Sequence, residues 1–194
     1  MVAILSPDAI PEVRFTVDEY LAADLPEGCR YELVDGVVEM SPTPGGAHDD
    51  VVFFLQTALG EHYKAHPGEI AHVSQRACVV IPGKVRVREP DLVAYRTWEG
   101  KTRGSTVWKE FVPFLVAEIV SPGQERRDRV DKREDYWLAG IEEYWIIDPH
   151  QRTFTVLTRG AKQWDETVYD QPDQGYGTPR LTDFEIRIGA LFGE

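Results

Sequence analysis

The sequence predicts an α/β (α+β) fold: a mixed, strongly bent central sheet, helices on either side of it, and an additional N-terminal hairpin. Three observations predict it. Five short β-like apolar runs occupy residues 70–120. A helix-length stretch with one apolar side precedes them at 47–66, and a second helical stretch follows at 126–139. The C-terminal part then alternates, with Phe184, Ile186 and Ile188 two residues apart. Helices packed on a sheet give a layered domain, and 194 residues suit one domain, 1–194, with a sizeable core.

The elements follow in order. Thr16-Val-Asp-Glu19 is a capping box, in which the threonine caps and Glu19 reaches back, and it starts a short helix over 16–23. Residues 31–40 read as a hairpin that turns at Asp35-Gly36. A loop rich in proline and glycine occupies 41–46. The helix over 47–66 carries Val51, Val52, Leu55, Ala58, Leu59 and Tyr63 on its apolar side. Strand-like runs come next, at 70–73, 77–81, 85–87, 92–95 and 114–120, with a turn at Pro82-Gly83-Lys84. Residues 97–110 are polar and irregular, include Trp98 and Trp108, and read as a loop over the site. The helix over 126–139 stops at Gly140, a favourable residue just past a helix end. A strand over 141–148, a turn at 149–152 and a strand over 153–158 complete the centre.

Composition narrows the function. The chain is 42% hydrophobic and 28% charged, ordinary values for a globular protein. Its first residues lack the basic start and long apolar run of a signal peptide. No stretch approaches the ~18 apolar residues of a membrane span, so no membrane partner is expected. Cys29 and Cys78 are too few for a disulfide framework or a cysteine-rich zinc site, which suggests a reducing, cytoplasmic interior. The net charge of −12, taken alone, argues against nucleic acid, because phosphate binding is driven by cations. The distribution changes that argument. Residues 76–133 hold 13 Lys/Arg against 8 Asp/Glu, and the remainder holds 8 against 25. The alternative is that this loop-rich segment is simply solvated. No glycine-rich phosphate loop and no G-x-S-x-G elbow is present, so kinase and serine-hydrolase chemistry have no support.

The cations gather around candidate acids. Asp91 lies in Glu-Pro-Asp-Leu-Val-Ala-Tyr (89–95), at the start of a strand, and Glu118 lies in Phe-Leu-Val-Ala-Glu-Ile-Val-Ser-Pro (114–122), near a strand's end. A buried carboxylate is costly unless it is paired or binds a metal. If the two strands pair, the carboxylates meet at one point. Mg²⁺ prefers such oxygen ligands, and it helps a water to ionise while it clamps phosphate oxygens. On the following helix Asp128, Lys132 and Tyr136 are spaced i, i+4, i+8 and form one stripe. Its lysine could orient or deprotonate water, or stabilise a pentavalent phosphate. Each piece has a plainer reading: a strand start for Asp91, a buried salt bridge for Glu118, a solvated helix residue for Lys132. His48, just before the long helix, is a candidate phosphate contact or else a cap. Gln75, after a strand, is a candidate outer residue of the site. His62 and His66 share a helix face but lack the intervening glutamate of a zinc-protease motif. Trp137, Tyr144 and Trp145 read as core aromatics.

Together these segments resemble a known family. Tyr-Glu-Leu-Val-Asp-Gly (31–36), Glu-Pro-Asp-Leu-Val (89–93) and Val-Ala-Glu-Ile-Val-Ser-Pro (116–122) occur in order. Asp128, Lys132 and Tyr136 follow, and then Ala-Gly-Ile-Glu-Glu-Tyr-Trp-Ile-Ile-Asp-Pro (139–149). The pattern is similar to that of the Uma-type restriction endonuclease family of bacteria, in the PD-(D/E)XK nuclease superfamily. The resemblance runs from about Thr16 to Phe192. It implies a restriction-endonuclease-like fold and a Mg²⁺-dependent phosphodiesterase core, with Mn²⁺ able to substitute. It maps the superfamily aspartate to Asp91 and the second acid to Glu118, and makes the Ile119 carbonyl a further metal ligand. Glu32 resembles the superfamily's extra N-terminal acid, with a hairpin ion pair as its plainer reading. The chain departs from the pattern in one place. The third element is acid-x-Lys, but the strand here reads Glu118-Ile119-Val120. Lys132 on the helix is the natural substitute.

The sequence thus points to a metal-dependent endonuclease hydrolysing DNA phosphodiester bonds, with RNA open as a substrate. The catalytic set is Glu32, Asp91, Glu118 and Lys132. Cutting a duplex needs two active sites, so a homodimer is expected, with Trp98 and Trp108 as candidate contacts. The alternative is a catalytically inactive nuclease-fold module that binds nucleic acid or a protein partner.

Overall fold

The computed structural model describes residues 13–42, 45–75, 77–96, 111–123 and 125–194. The tryptophan-bearing loop expected over 97–110, and residues 43–44 of the proline-rich loop, lie outside the described residues. Helix α1 (Val17–Ala22) carries the expected capping box, with Thr16 Oγ1 accepting from the Glu19 amide. Strands β1 (Cys29–Val34) and β2 (Val37–Pro42) form the hairpin. Its turn needs left-handed backbone, and Asp35 and Gly36 supply it at φ 50° and 86°. Helix α2 (Gly46–Ala65) follows. Tyr63, expected on its apolar side, is 40% exposed, while His62 is buried. Seven residues after Leu55, His62 continues the buried stripe and Tyr63 falls at its edge.

Next come β3 (His72–Ser74), β4 (Val79–Val80), β5 (Val87–Arg88), β6 (Leu92–Tyr95) and β7 (Leu115–Ile119). A π-helical turn (Arg127–Asp131) leads into α3 (Lys132–Ala139). Gly140 ends the helix in the left-handed region at φ 85°, as its position predicts. Strands β8 (Glu143–Asp148) and β9 (Thr153–Arg159) are joined by a turn in which Asp148 Oδ1 accepts the amides of His150 and Gln151. Strand β10 (Trp164–Tyr169), which the sequence reading did not mark, extends a hairpin with β9. It is an edge strand, and its exposed Asp165 and Glu166 discourage further pairing. Short strands β11 (Gly175–Tyr176) and β12 (Ile186–Arg187) and helix α4 (Ile188–Leu191) close the chain.

The strands form two main sheets. The first runs β2-β1-β5-β4, and the second runs β10-β9-β8-β7-β6-β3. The second is mixed, because β7 and β8 are parallel while its other pairs are antiparallel. A parallel pair needs a long crossover, which the π turn and α3 provide. Central strands are buried on both faces, so their sequences are almost continuously apolar. One face packs under α2 through Val51, Val52, Leu55 and Leu59. The other packs under α3 through Tyr136 and Ala139. Trp145 and Tyr144 are fully buried on opposite faces, as core aromatics should be. The tail docks on Glu143, whose carboxylate accepts from Trp145 Nε1 at 3.0 Å, Tyr176 Oη at 3.0 Å and Thr178 Oγ1 at 2.7 Å.

Candidate active site

Strand register brings the two acids together. Strand β6 pairs antiparallel with β7, with Leu92 opposite Ala117. One step further, Asp91 lies opposite Glu118. Along β7, Leu115, Ala117 and Ile119 join the core under α2, and Val116 and Val120 join the core under α3. Alternation therefore turns Glu118 toward α3. Asp91 stands just before β6, so strand alternation does not fix its direction, and its carboxylate meets the Ile119 amide of β7.

Helix α3 brings the cation. Lys132 is 5% exposed. Its Nζ lies 2.8 Å from Glu118 Oε2, 3.0 Å from Asp128 Oδ1 and 3.4 Å from Glu32 Oε1. Tyr136 donates its hydroxyl to Glu118 Oε1. The stripe Asp128, Lys132, Tyr136 thus faces Glu118 as a unit. The π turn is pinned from below, since Tyr144 donates its hydroxyl to the Asp128 carbonyl at 2.8 Å. π turns occur frequently at functional sites.

The hairpin supplies Glu32, 4% exposed. It is far more than a hairpin ion pair. Its Oε2 meets Arg88 at 2.7 Å and Arg127 at 2.5 Å, besides the Lys132 contact. Arg88 in turn pairs with the fully buried Asp135 of α3 at 2.6 Å. Burial pushes the Glu32 carboxyl up, but Lys132, Arg88 and Arg127 outweigh it and hold the group at about 2. For Glu118 burial wins over Lys132, with Asp128 and Glu32 adding repulsion, and the carboxyl rises to about 7. Burial would discharge Lys132, but Glu118, Glu32 and Asp128 push its pKa above the ordinary lysine value, so it stays charged.

Asp91 has its own partners. Its Oδ1 takes the Arg30 guanidinium and lies 2.9 Å from His48 Nε2, while its Oδ2 accepts the Ile119 amide at 2.6 Å. Burial, with Arg30 nearby, lowers His48 to about 4 against the opposing pull of Asp49, so the ring is neutral at pH 7. With Nε2 donating to Asp91, its buried Nδ1 is left without a hydrogen-bond partner. His48 is therefore neither a helix cap nor a surface residue.

Most of these groups line one cavity of about 280 Å³, together with Ser41, Glu89, Ser121 and Pro122; Arg88, Asp135, Tyr136 and Tyr144 are not part of its wall. The sequence candidates Glu32, His48, Asp91, Glu118, Ile119, Asp128 and Lys132 all contribute to its wall. Gln75 and Tyr136 are the exceptions: the Gln75 amide bonds Gln56 on α2, and the fully buried Tyr136 reaches the site only through Glu118. The sequence reading missed Arg30, Arg88 and Arg127. Arg30 was detectable, because it sits two residues before Glu32 in a strand and so shares its face. The donors suit Mg²⁺. Asp91 and Glu118 offer carboxylate oxygens, and a strand residue directs its N–H and C=O to one side, which puts the Ile119 carbonyl on the Asp91 side.

Mixed sheet, flanking helices and a cavity of buried acids and cations together define an α/β architecture with a charged site. A crystal structure from Anabaena variabilis, described as a putative nuclease belonging to DUF820, shares this fold with a TM-score of 0.73 and 22% identity, over 92% of this chain and 97% of that one. Residues 17–189 match the Uma2 family model, described as "Putative restriction endonuclease", and the chain belongs to that family. No curated protein matches the chain significantly. Among the described residues, no helix is long and apolar enough to cross a membrane.

Proposed function

We propose that this chain is a Mg²⁺-dependent endonuclease that hydrolyses DNA phosphodiester bonds, with Mn²⁺ able to substitute. The observation that carries the reading is the pair of buried carboxylates on facing strands, beside a buried lysine, in a cavity walled by arginines. Asp91, Glu118 and the Ile119 carbonyl would hold the ion. When bound, Mg²⁺ supplies polarisation of a phosphate oxygen and activation of water. Lys132 remains charged between its carboxylates. Its role is therefore electrostatic, stabilising charge that develops on the phosphate, and it is not a base. Glu32 is committed to Arg88, Arg127 and Lys132, so it positions the lysine. Arg30 and Arg127 suit phosphate oxygens, since guanidinium binds them bidentately. Their clustering offsets the −12 net charge where a nucleic acid backbone would lie. Duplex cleavage would require a homodimer, which light scattering can test by mass.

A second reading has its own support. Each carboxylate already has protein partners: Asp91 holds Arg30, and Glu118 holds Lys132 and Tyr136. A site neutralised from within suits an inactive module that binds nucleic acid or protein. Plasmid nicking with Mg²⁺ or Mn²⁺ separates the two. Asp91→Ala and Glu118→Ala, verified as folded by circular dichroism, should abolish nicking. Undiminished activity in either variant would assign the cleavage to another site or to a contaminant.

A further inference from the structure

We propose that His62, His66 and Glu69 form a second metal site, of the zinc type, at the C-terminal end of α2. The three residues offer one ligand atom each, and these atoms all lie within 4.8 Å of one another. His62 and His66 stand one helical turn apart, with ring centroids at 4.4 Å and planes inclined by 14°. Residues four apart share a helix face, so the two imidazoles are held side by side. The chain then turns back. His66 ends the helix at φ −125° and ψ 74°, and the Glu69 amide donates to the His66 carbonyl at 3.3 Å. That turn returns the Glu69 carboxylate to His62, with Oε2 3.0 Å from Nε2.

Distances and donor types both favour zinc. Zinc binds imidazole nitrogen at about 2.0–2.1 Å and carboxylate oxygen at about 2.0–2.2 Å, usually as a tetrahedron, so its ligand atoms stand roughly 3.3–3.5 Å apart. The His62–Glu69 pair is already near that spacing. His66 is half-buried, and a modest ring rotation would complete the set. Two nitrogens and one oxygen, with a fourth position for water, suit zinc; the oxygen-only set of the Asp91–Glu118 cavity suits magnesium. The ligands are also oriented from behind. The Thr182 amide donates to Glu69 Oε2 at 2.9 Å, and Phe184 packs edge-on against the buried His62 ring at 5.6 Å. Such outer contacts fix ligand geometry and strengthen binding. His48 and His62 are 14 residues apart on α2, or about 21 Å along its axis. The two sites are thus independent, and the zinc site would tie the end of α2 to the turn that follows it, beside Thr182 and Phe184 of the C-terminal segment.

The test is Zn²⁺ titration of the full chain in excess Mg²⁺, followed by NMR of the histidine rings and by thermal melting. The His62 and His66 resonances should move together and saturate at one equivalent, with a rise in Tm. Glu69→Gln keeps the Thr182 contact, and His66→Ala alters only a half-buried ring, so both should fold. Each should weaken Zn²⁺ binding by more than the roughly 10–100-fold that follows loss of an outer partner. Asp91→Ala should leave Zn²⁺ binding unchanged. Unshifted rings, undiminished affinity in His66→Ala, or loss of binding in Asp91→Ala would overturn the proposal. None of these outcomes depends on whether the chain cuts DNA.

Discussion

Lys132 is the residue on which the candidate site turns, and it touches three carboxylates at once. Its removal takes the cation from buried Glu118 and Asp128, while Glu32 keeps Arg88 and Arg127. Lys132→Met should therefore cost about 3–5 kcal/mol of stability, measured by urea denaturation. If the nuclease reading holds, turnover should fall roughly 10²–10⁴-fold, with Mn²⁺ affinity by calorimetry nearly retained. Glu32 gives a second prediction, in which pH has a definite sign. Its folded carboxyl sits near 2, below the ordinary 4.5. Its contribution is present above about 4.5 and is lost as pH falls from there through about 2. Glu32→Gln should destabilise the protein by about 3–5 kcal/mol at pH 7 and much less at pH 3. Equal losses at the two pH values would refute the assignment. The sequence made Asp91, Glu118 and Lys132 legible, because charges inside apolar runs and at helical spacing stand out. It did not reveal that Asp91 would be engaged by Arg30 and His48, since those partners come from β1 and α2. Such contacts are set by tertiary packing.

At the scale of elements, α3 shows how much local pattern decides and where it stops. The stripe and the Gly140 stop both follow from the sequence. The π turn does not, and one of its contacts, the Tyr144 hydroxyl on the Asp128 carbonyl, comes from β8, outside the local sequence. Strand β10 escaped for a related reason. Its residues are largely exposed, so they lack an apolar signature and gain their form by pairing with β9. Gly140 yields the prediction at this scale. Any side chain at φ 85° is strained, so Gly140→Ala should cost roughly 1 kcal/mol or more in thermal or chemical melts. A stabilising outcome would show that the helix end relaxes into another cap.

For the whole molecule, the cavity lies where the two main sheets meet. Arg30 and Glu32 come from the hairpin sheet, Asp91 and Glu118 from the six-stranded sheet, and His48 and Lys132 from helices on opposite faces. Charge follows the same geography, with the acidic excess elsewhere on the chain. The core that holds this frame is conventional. Trp145→Ala, at a fully buried position between Phe154 and Phe184, should cost about 3–5 kcal/mol. The passage from β5 in one sheet to β6 in the other takes only Glu89, Pro90 and Asp91. In mechanical terms this link is the pin of a hinge whose two leaves are the sheets. Proline suits the pin, because it needs no amide partner in the gap and its φ is fixed. A load placed on either leaf, by a bound backbone or by a neighbouring subunit, would pass through the segment that carries Glu89 and Asp91, two acids of the cavity wall.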